Sequence, residues 1–224
     1  MYFEPITVVI ACIDEEQFIE TSKNIIDHVP VRWINGKNMS SFAYLVNQAV
    51  LSCNTEAVVF CSDRVRPNLA HILVMRQMLA GGWGMVGLCR WAFMGFYKQV
   101  FRDIGFLDER YIGGGHEDSD FLLRCMEGDI SYFDRTEAMG YIWSANTRWN
   151  KQLDAAKAHH DAKWGEDTAQ KTYIRKLPEI DPYDRTLLGP ERDDLKSNRI
   201  PWLTGSTILG TDGYKDYRII SETL

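Results

Sequence analysis

The sequence predicts an α/β protein organised on a parallel sheet, and three observations lead there. Residues 6–12, 29–34 and 56–61 are short apolar runs rich in β-branched side chains, the pattern of strands buried on both faces. Each run is followed by a stretch with helical apolar spacing. The two types alternate three times within residues 1–80, the order that parallel strands and crossover helices require. In such sheets ligands gather beyond the carboxyl ends of the strands. The loops after the first and third strands carry Asp14-Glu15-Glu16 and Ser62-Asp63-Arg64. A nucleotide is therefore expected at these loops.

Taken in order, residues 6–12 are the first strand. Residues 16–28 follow as a helix through Phe18, Ile19, Ile25 and Ile26. Residues 29–34 are a second strand, stopped by Asn35-Gly36. Ser40 or Ser41 caps a helix through residue 53, with Phe42, Leu45, Val46, Ala49 and Val50 on its inner face. Residues 56–61 are the third strand. Pro67 opens a helix over residues 68–80, at the position that proline tolerates best. Beyond residue 83 the pattern loosens. Residues 85–88 read as a strand, and 91–97 as a pocket wall or a strand. Residues 98–104 and 116–127 read as helices, 130–134 and 138–143 as strands, and 155–165 as a helix. From Glu166 onward, charges and turn formers dominate, and Pro178, Pro182, Pro190 and Pro201 interrupt any long element. The expected division is a domain over 1–165 and an arm over 166–224 that packs on it or on a partner subunit.

A chain of 224 residues and 25.8 kDa supports one large domain, or one domain with an extension. With 45% hydrophobic and 25% charged residues it should be globular and well cored. The formal net charge of −6 gives no global electrostatic case for nucleic acid or an anionic membrane. A local basic face from Arg175, Lys176, Arg185, Arg192, Lys196 and Arg199 stays open. Cys12, Cys53, Cys61, Cys89 and Cys125 stand singly, which reads as reduced core thiols rather than a zinc site or a disulfide frame. The first five residues have no basic flank, and no apolar run is long enough to span a bilayer, so a cytoplasmic protein is expected.

Residues 105–124 carry the densest chemistry. Gly113-Gly114-Gly115 allows positive φ and close approach of a ligand. His116, Glu117, Asp118 and Asp120 follow at once, ahead of the apolar Phe121-Leu122-Leu123. Carboxylates in a first helical turn suit the helix dipole, and a junction of loop and helix suits a catalytic base. For Asp118 or Asp120 alone, a charged helix cap is the simpler reading. The convergence of all these features favours a site.

The order of these motifs resembles the family 2 glycosyltransferases over residues 6–165. Their first strand leads to an acidic or amide pair, here Asp14-Glu15. A helix asparagine precedes their third strand, here Asn47, and an aspartate loop follows that strand, here Ser62-Asp63. A segment like residues 101–109 then leads to a Gly-rich loop and Glu-Asp-x-Asp-x-x-x-Arg, here Glu117 to Arg124, and Lys163-Trp164-Gly165 matches a late tripeptide. The resemblance implies a single Rossmann-like, A-type nucleotide-sugar-binding domain with a mixed central sheet and a C-terminal arm. It implies an inverting transfer from a nucleotide sugar, a UDP sugar by family frequency, to an acceptor hydroxyl. A glycan, a protein or a hydroxymethylated DNA base would serve as acceptor, the last if the enzyme is phage- or virus-encoded.

By the same resemblance, Asp118 is the base and Glu117 positions the acceptor or tunes Asp118. Asp14, Glu15, Asn47, Ser62, Asp63 and Arg64 would hold the nucleotide. Trp91, Gly114, Gly115 and His116 would meet the sugar or acceptor, with Trp83, Phe93 and Phe96 as further aromatic candidates, at least two of the four being core. Asp120 is expected to be structural. The family's metal motif, Asp-x-Asp, is Cys61-Ser62-Asp63 here, so only its second aspartate remains. Asp63 with His159 or His160 would hold Mn2+ or Mg2+, the diphosphate supplying further ligands. Alternatively, Arg64 or Arg66 would neutralise the diphosphate directly. Simpler readings stand beside these: helix capping for Asp14, an Asx turn for Asp63, packing for Asn47. Two rival functions remain. A nucleotidyltransferase would need a basic Gly-rich loop after the first strand, where this chain is acidic. A binding subunit without catalysis is suggested by the lost aspartate.

Overall fold

The computed structural model describes residues 5–37, 41–89, 91–111, 115–134, 153–165 and 214–216. Seven strands form one sheet: β1 (Ile6–Cys12), β2 (Val31–Asn35), β3 (Ala57–Ser62), β4 (Met85–Gly87), β5 (Phe93–Tyr97), β6 (Tyr132–Asp134) and β7 (Tyr214–Asp216). Six helices accompany them: α1 (Glu15–Ser22), α2 (Phe42–Ser52), α3 (Leu69–Ala80), α4 (Lys98–Ile104), α5 (Glu117–Glu127) and α6 (Leu153–Trp164). The strand order is β6-β4-β5-β3-β1-β2-β7. β1 pairs in parallel with both β2 and β3, and β4 with β6, while β5 and β7 run against their neighbours. The sheet is therefore mixed.

Alternation along β1 builds two cores. Val8, Ile10 and Cys12 face one side, with Phe18 of α1 and Ile72, Met75 and Leu79 of α3. Val9 and Ala11 face the other, with α2, α4 and α5. All of β1 is buried, as its continuous apolar run requires. At Gly95 of β5 a Cβ would come within 2.4 Å of Met75 Sδ, so this glycine lets α3 lie directly on the strand.

Several elements differ from the sequence reading. α1 stops at Ser22, and residues 23–28 continue as turns. Ser22 and Asn24 favour local alternatives to helix, and buried Ile25 draws the chain down to the sheet. Pro67 lies before α3, whose cap is Asn68. Asn68 Oδ1 accepts from the His71 backbone N–H at 3.1 Å, and His71 Nδ1 accepts from the Asn68 N–H at 3.2 Å. Burial lowers the His71 pKa, which favours the neutral acceptor form. Within residues 91–97, Phe93–Tyr97 form β5. The strand expected at 138–143 and nearly all of the arm lie outside the described residues, as does Gly114.

Two cations lie at the opposite end of the sheet, Lys98 buried and Arg32 half-buried. Arg32 Nη1 donates to Ser52 O and Lys98 Nζ to Cys53 O, satisfying carbonyls at the end of α2. Among the described residues no helix is long and apolar enough to cross a membrane.

Candidate active site

The carboxyl ends of β1 and β2 are tied together before any ligand is considered. Cys12 O accepts from Gly36 N at 3.0 Å and from Trp33 Nε1 at 3.1 Å. Asp14 caps α1, its Oδ1 accepting from Gln17 N at 2.9 Å. Asp14 and Glu15 are exposed, and Ser62, Asp63 and Arg64 are half-buried. The Cys12 thiol is pushed up to about 12, first by burial and then by the negative charges of Asp63 and Asp14. The parallel register of β1 and β3, with Ala11 opposite Ser62, brings the loops after the two strands to the same edge. The turn after β3 is made by Ser62, whose Oγ accepts from Arg64 N at 3.1 Å and whose carbonyl accepts from Val65 N at 3.1 Å. The simpler reading of Asp63, an Asx turn, would give such a turn to the Asp63 side chain instead. Arg66 is committed elsewhere: its Nη1 donates to Asp63 O at 2.8 Å and to Thr21 Oγ1 at 3.1 Å. It straps this loop to α1.

A third segment reaches the same edge. Ser62 N donates to Ala92 O at 2.8 Å, which seats the turn before β5 beside the end of β3. Next to Ala92, the Trp91 ring lies 5.7 Å from that of Phe121, edge to face. Phe121 belongs to α5, one turn beyond Glu117 and Asp118. Trp91 thereby joins the loop after β3 to the start of the acidic helix. It is only 6% exposed and also contacts Phe42 and Phe96, so it is a core residue and not an open platform for a sugar. Phe93 and Phe96 are wholly buried as well.

The start of α5 combines two left-handed residues in succession, Gly115 at φ 124 and His116 at φ 67. His116 is the cap residue but makes no side-chain cap bond. Glu117 is buried and turns back, its Oε2 accepting from Gly115 N. Its carboxylate thus braces the glycine loop. Asp118 is half-exposed, with Oδ1 accepting from Ser119 N at 2.8 Å. Of the two catalytic candidates, Asp118 is the more accessible to solvent.

Behind this helix lies a dry charge network. Asp120 Oδ2 accepts from Arg124 Nη2 at 2.8 Å, and its Oδ1 from Trp164 Nε1 at 2.7 Å and from Lys163. Asp108 accepts from Arg110 Nε at 2.8 Å, His159 Nε2 at 2.9 Å and Lys163 Nζ at 3.0 Å. Burial acts to raise both carboxyl pKa values. The hydrogen bonds from His159 and Arg110 to Asp108, and the charges of Arg124 and Lys163 beside Asp120, outweigh it and hold Asp108 well below the usual range and Asp120 below its ordinary value. Asn47 is fully buried and binds Leu107 through its N–H and its carbonyl, and Glu109 through Oε1. It is a staple for the segment at 107–109 rather than a nucleotide contact. His160 Nδ1 lies 3.1 Å from Tyr111 Oη. Burial lowers the His160 pKa to about 4, leaving the ring neutral at pH 7.

The metal set expected from sequence is not assembled. Among the described residues no three His, Cys, Asp or Glu side chains are grouped for a cation. His159 and His160 are held by Asp108 and Tyr111. Asp63, half-buried on the loop after β3, has the hard oxygen chemistry that Mg2+ or Mn2+ accepts. Sequence reasoning missed Asp108 and Lys163 as a hub, although Lys163 stands in the late tripeptide. Their partners are 51 and 55 residues apart in the chain.

No protein-family model and no characterised protein sequence matches this chain. Solved structures do match in fold. The catalytic domain of Drosophila β1,4-galactosyltransferase 7, in complex with xylobiose, superposes with a TM-score of 0.52 at 13% identity, over 78% of this chain and 82% of that one. A mannosyltransferase from Pyrobaculum calidifontis, in complex with GDP-Man and Mn2+, also gives 0.52, at 12% identity, over 99% of this chain and 79% of that one. The fold is that of the A-type glycosyltransferases.

Proposed function

We propose that this protein is an inverting glycosyltransferase that takes a sugar from a nucleoside-diphosphate donor. The observation that carries this reading is the meeting of three segments at one edge of the sheet: the loop with Asp14, the loop with Asp63, and, through Trp91, the acidic start of α5. Ligands of α/β sheets bind at that edge. Structures of the same fold hold xylobiose in one case and GDP-Man with Mn2+ in another, which supports nucleotide-sugar transfer to a sugar-like acceptor.

In this reading Asp14 and Glu15 accept hydrogen bonds from the nucleoside. Arg64 faces the diphosphate, for which a guanidinium is a good partner. Asp63 is the residue that would hold a divalent cation, Mn2+ or Mg2+, with remaining ligands from the diphosphate. Such an ion, when bound, neutralises leaving-group charge. Asp118 takes the proton of the acceptor hydroxyl. The acceptor oxygen bonds to the anomeric carbon as that carbon's bond to the diphosphate oxygen breaks, and the nucleoside diphosphate departs from the opposite face with the electron pair. UDP is the expected nucleotide. The acceptor is a glycan, a protein or a hydroxymethylated base.

A thermal-shift series with UDP sugars and GDP-mannose, with and without Mn2+, tests the donor site. A donor at a hundred times its dissociation constant adds about 2.7 kcal/mol, enough to raise the midpoint by about 5 °C or more. No shift with any donor overturns the proposal. One observation favours a second reading, a binding subunit without transfer: Cys61 stands where the first metal aspartate would be. Donor-induced stabilisation without release of sugar would select it.

A further inference from the structure

We infer that His160 is the positioning residue of the left-handed entry to α5: from α6 it holds Tyr111 and His116, and so sets the acceptor's approach to Asp118. The part concerning the acceptor rests on the transferase reading; the part concerning Tyr111 and His116 does not. His160 is 1% exposed. Its Nδ1 shares a hydrogen bond of 3.1 Å with the Tyr111 hydroxyl. Its ring also lies 5.2 Å from that of His116, inclined by 31°. One imidazole therefore contacts both Tyr111 and His116.

Helix α6 reinforces this contact along its length. A Cβ on Gly115 would come within 2.9 Å of Leu153 Cδ2 and 3.8 Å of Ala156 Cβ. Leu153, Ala156 and His160 are spaced by three and four residues, hence on one face of the helix. The far end of α6 is fixed by Lys163 between Asp108 and Asp120, and by Trp164 on Asp120. The helix that the buried network immobilises is thus the one against which Gly115 packs. The glycine at 115 is required twice over, for its positive φ and for this close approach.

Hydrogen exchange on the full-length chain tests the assignment. In His160→Ala, amides of the peptide covering 111–117 should exchange at least about tenfold faster, while peptides covering β1 and β3 keep their rates. His160→Gln, which retains a hydrogen-bonding group of similar reach, should restore most of the protection. Unchanged exchange at 111–117, or acceleration spread equally over β1 and β3, overturns the proposal. If His160→Ala does not fold, Tyr111→Phe removes one end of the clasp, and its failure to accelerate exchange at 111–117 is equally decisive. A kinetic arm follows nucleotide release from GDP-mannose and UDP-galactose with Mn2+. His160→Ala should lower kcat with the donor KM unchanged, and a raised donor KM overturns the acceptor-side role. An unaltered protein that releases no nucleotide from either donor counts against the transferase reading, and the exchange result still decides the part concerning Tyr111 and His116.

Discussion

The loops at the ends of β1 and β3 and the network between α5 and α6 hold similar residue types, yet they are built on opposite principles. At the loops, the side chains of Asp14 and Ser62 accept from amides two or three residues further along the chain, and neither residue is fully buried. Between the helices, Asp108, Asp120, Arg124 and Lys163 are buried, and their bonds join distant segments. A site that binds a charged ligand needs polar groups held by short-range turns and left open to solvent. A site that holds two helices in register needs charges that are dry and mutually satisfied, because a buried charge without its partner is costly. The acidic motif at the start of α5 straddles the two. Asp118 belongs to the open side, and Asp120, two residues on, to the dry side.

The largest effect expected from that division is on activity. Asp118→Asn should lower nucleotide release in the transfer reaction by about 10²-fold or more, while the melting temperature and the donor-induced shift stay as they are. Full turnover in that variant would remove Asp118 from the base role. On the dry side the effects are on stability. Lys163→Met leaves two buried carboxylates without a shared cation and should cost about 3–5 kcal/mol by urea denaturation. A loss under 1 kcal/mol would show the network to be less tightly coupled than its geometry suggests.

Acid should separate the two kinds of group further. His160 is neutral when folded and charges more readily when unfolded. Its folded pKa of about 4 lies below the ordinary 6.5, so its contribution is complete above pH 6.5 and falls away between pH 6.5 and 4, by about 3 kcal/mol. The depressed carboxyls of Asp108 and Asp120 lose their contributions only as pH falls below about 4. Denaturation midpoints measured from pH 7 to 4 should decline in the parent and stay flatter in His160→Gln. The smallest effect belongs to the open side: Asp14→Ala should cost about 1 kcal/mol through its helix cap, together with a weaker donor-induced shift. A larger loss of stability there would mean that the loop is less open than described.

What could be read from the sequence follows the same line. The first three strands and α2 were legible because burial of both faces, or of one, imprints a local period on the chain. Ser41 and Asp14 were legible as caps for the same local reason. The cluster at 115–120 announced a site because its residues are adjacent. The direction of β5 left no such trace, since either sense of a buried strand looks alike in sequence. Asn47 was visible as a motif residue, but its bonds to Leu107, 60 residues away, were not. Trp91 looked like a binding aromatic because composition does not reveal which rings a fold will cover. The two histidines looked like ligands until their partners, Asp108 and Tyr111, were seen.

β7 pairs antiparallel with β2 through Arg32, Trp33 and Ile34. On its free side β2 would otherwise offer unsatisfied amides and carbonyls along the rim of a largely apolar sheet. A chain cut before residue 214 would present that rim to other copies of itself. The last few residues therefore bear on solubility, and a shortened protein should be checked for self-association before any loss of activity is blamed on chemistry.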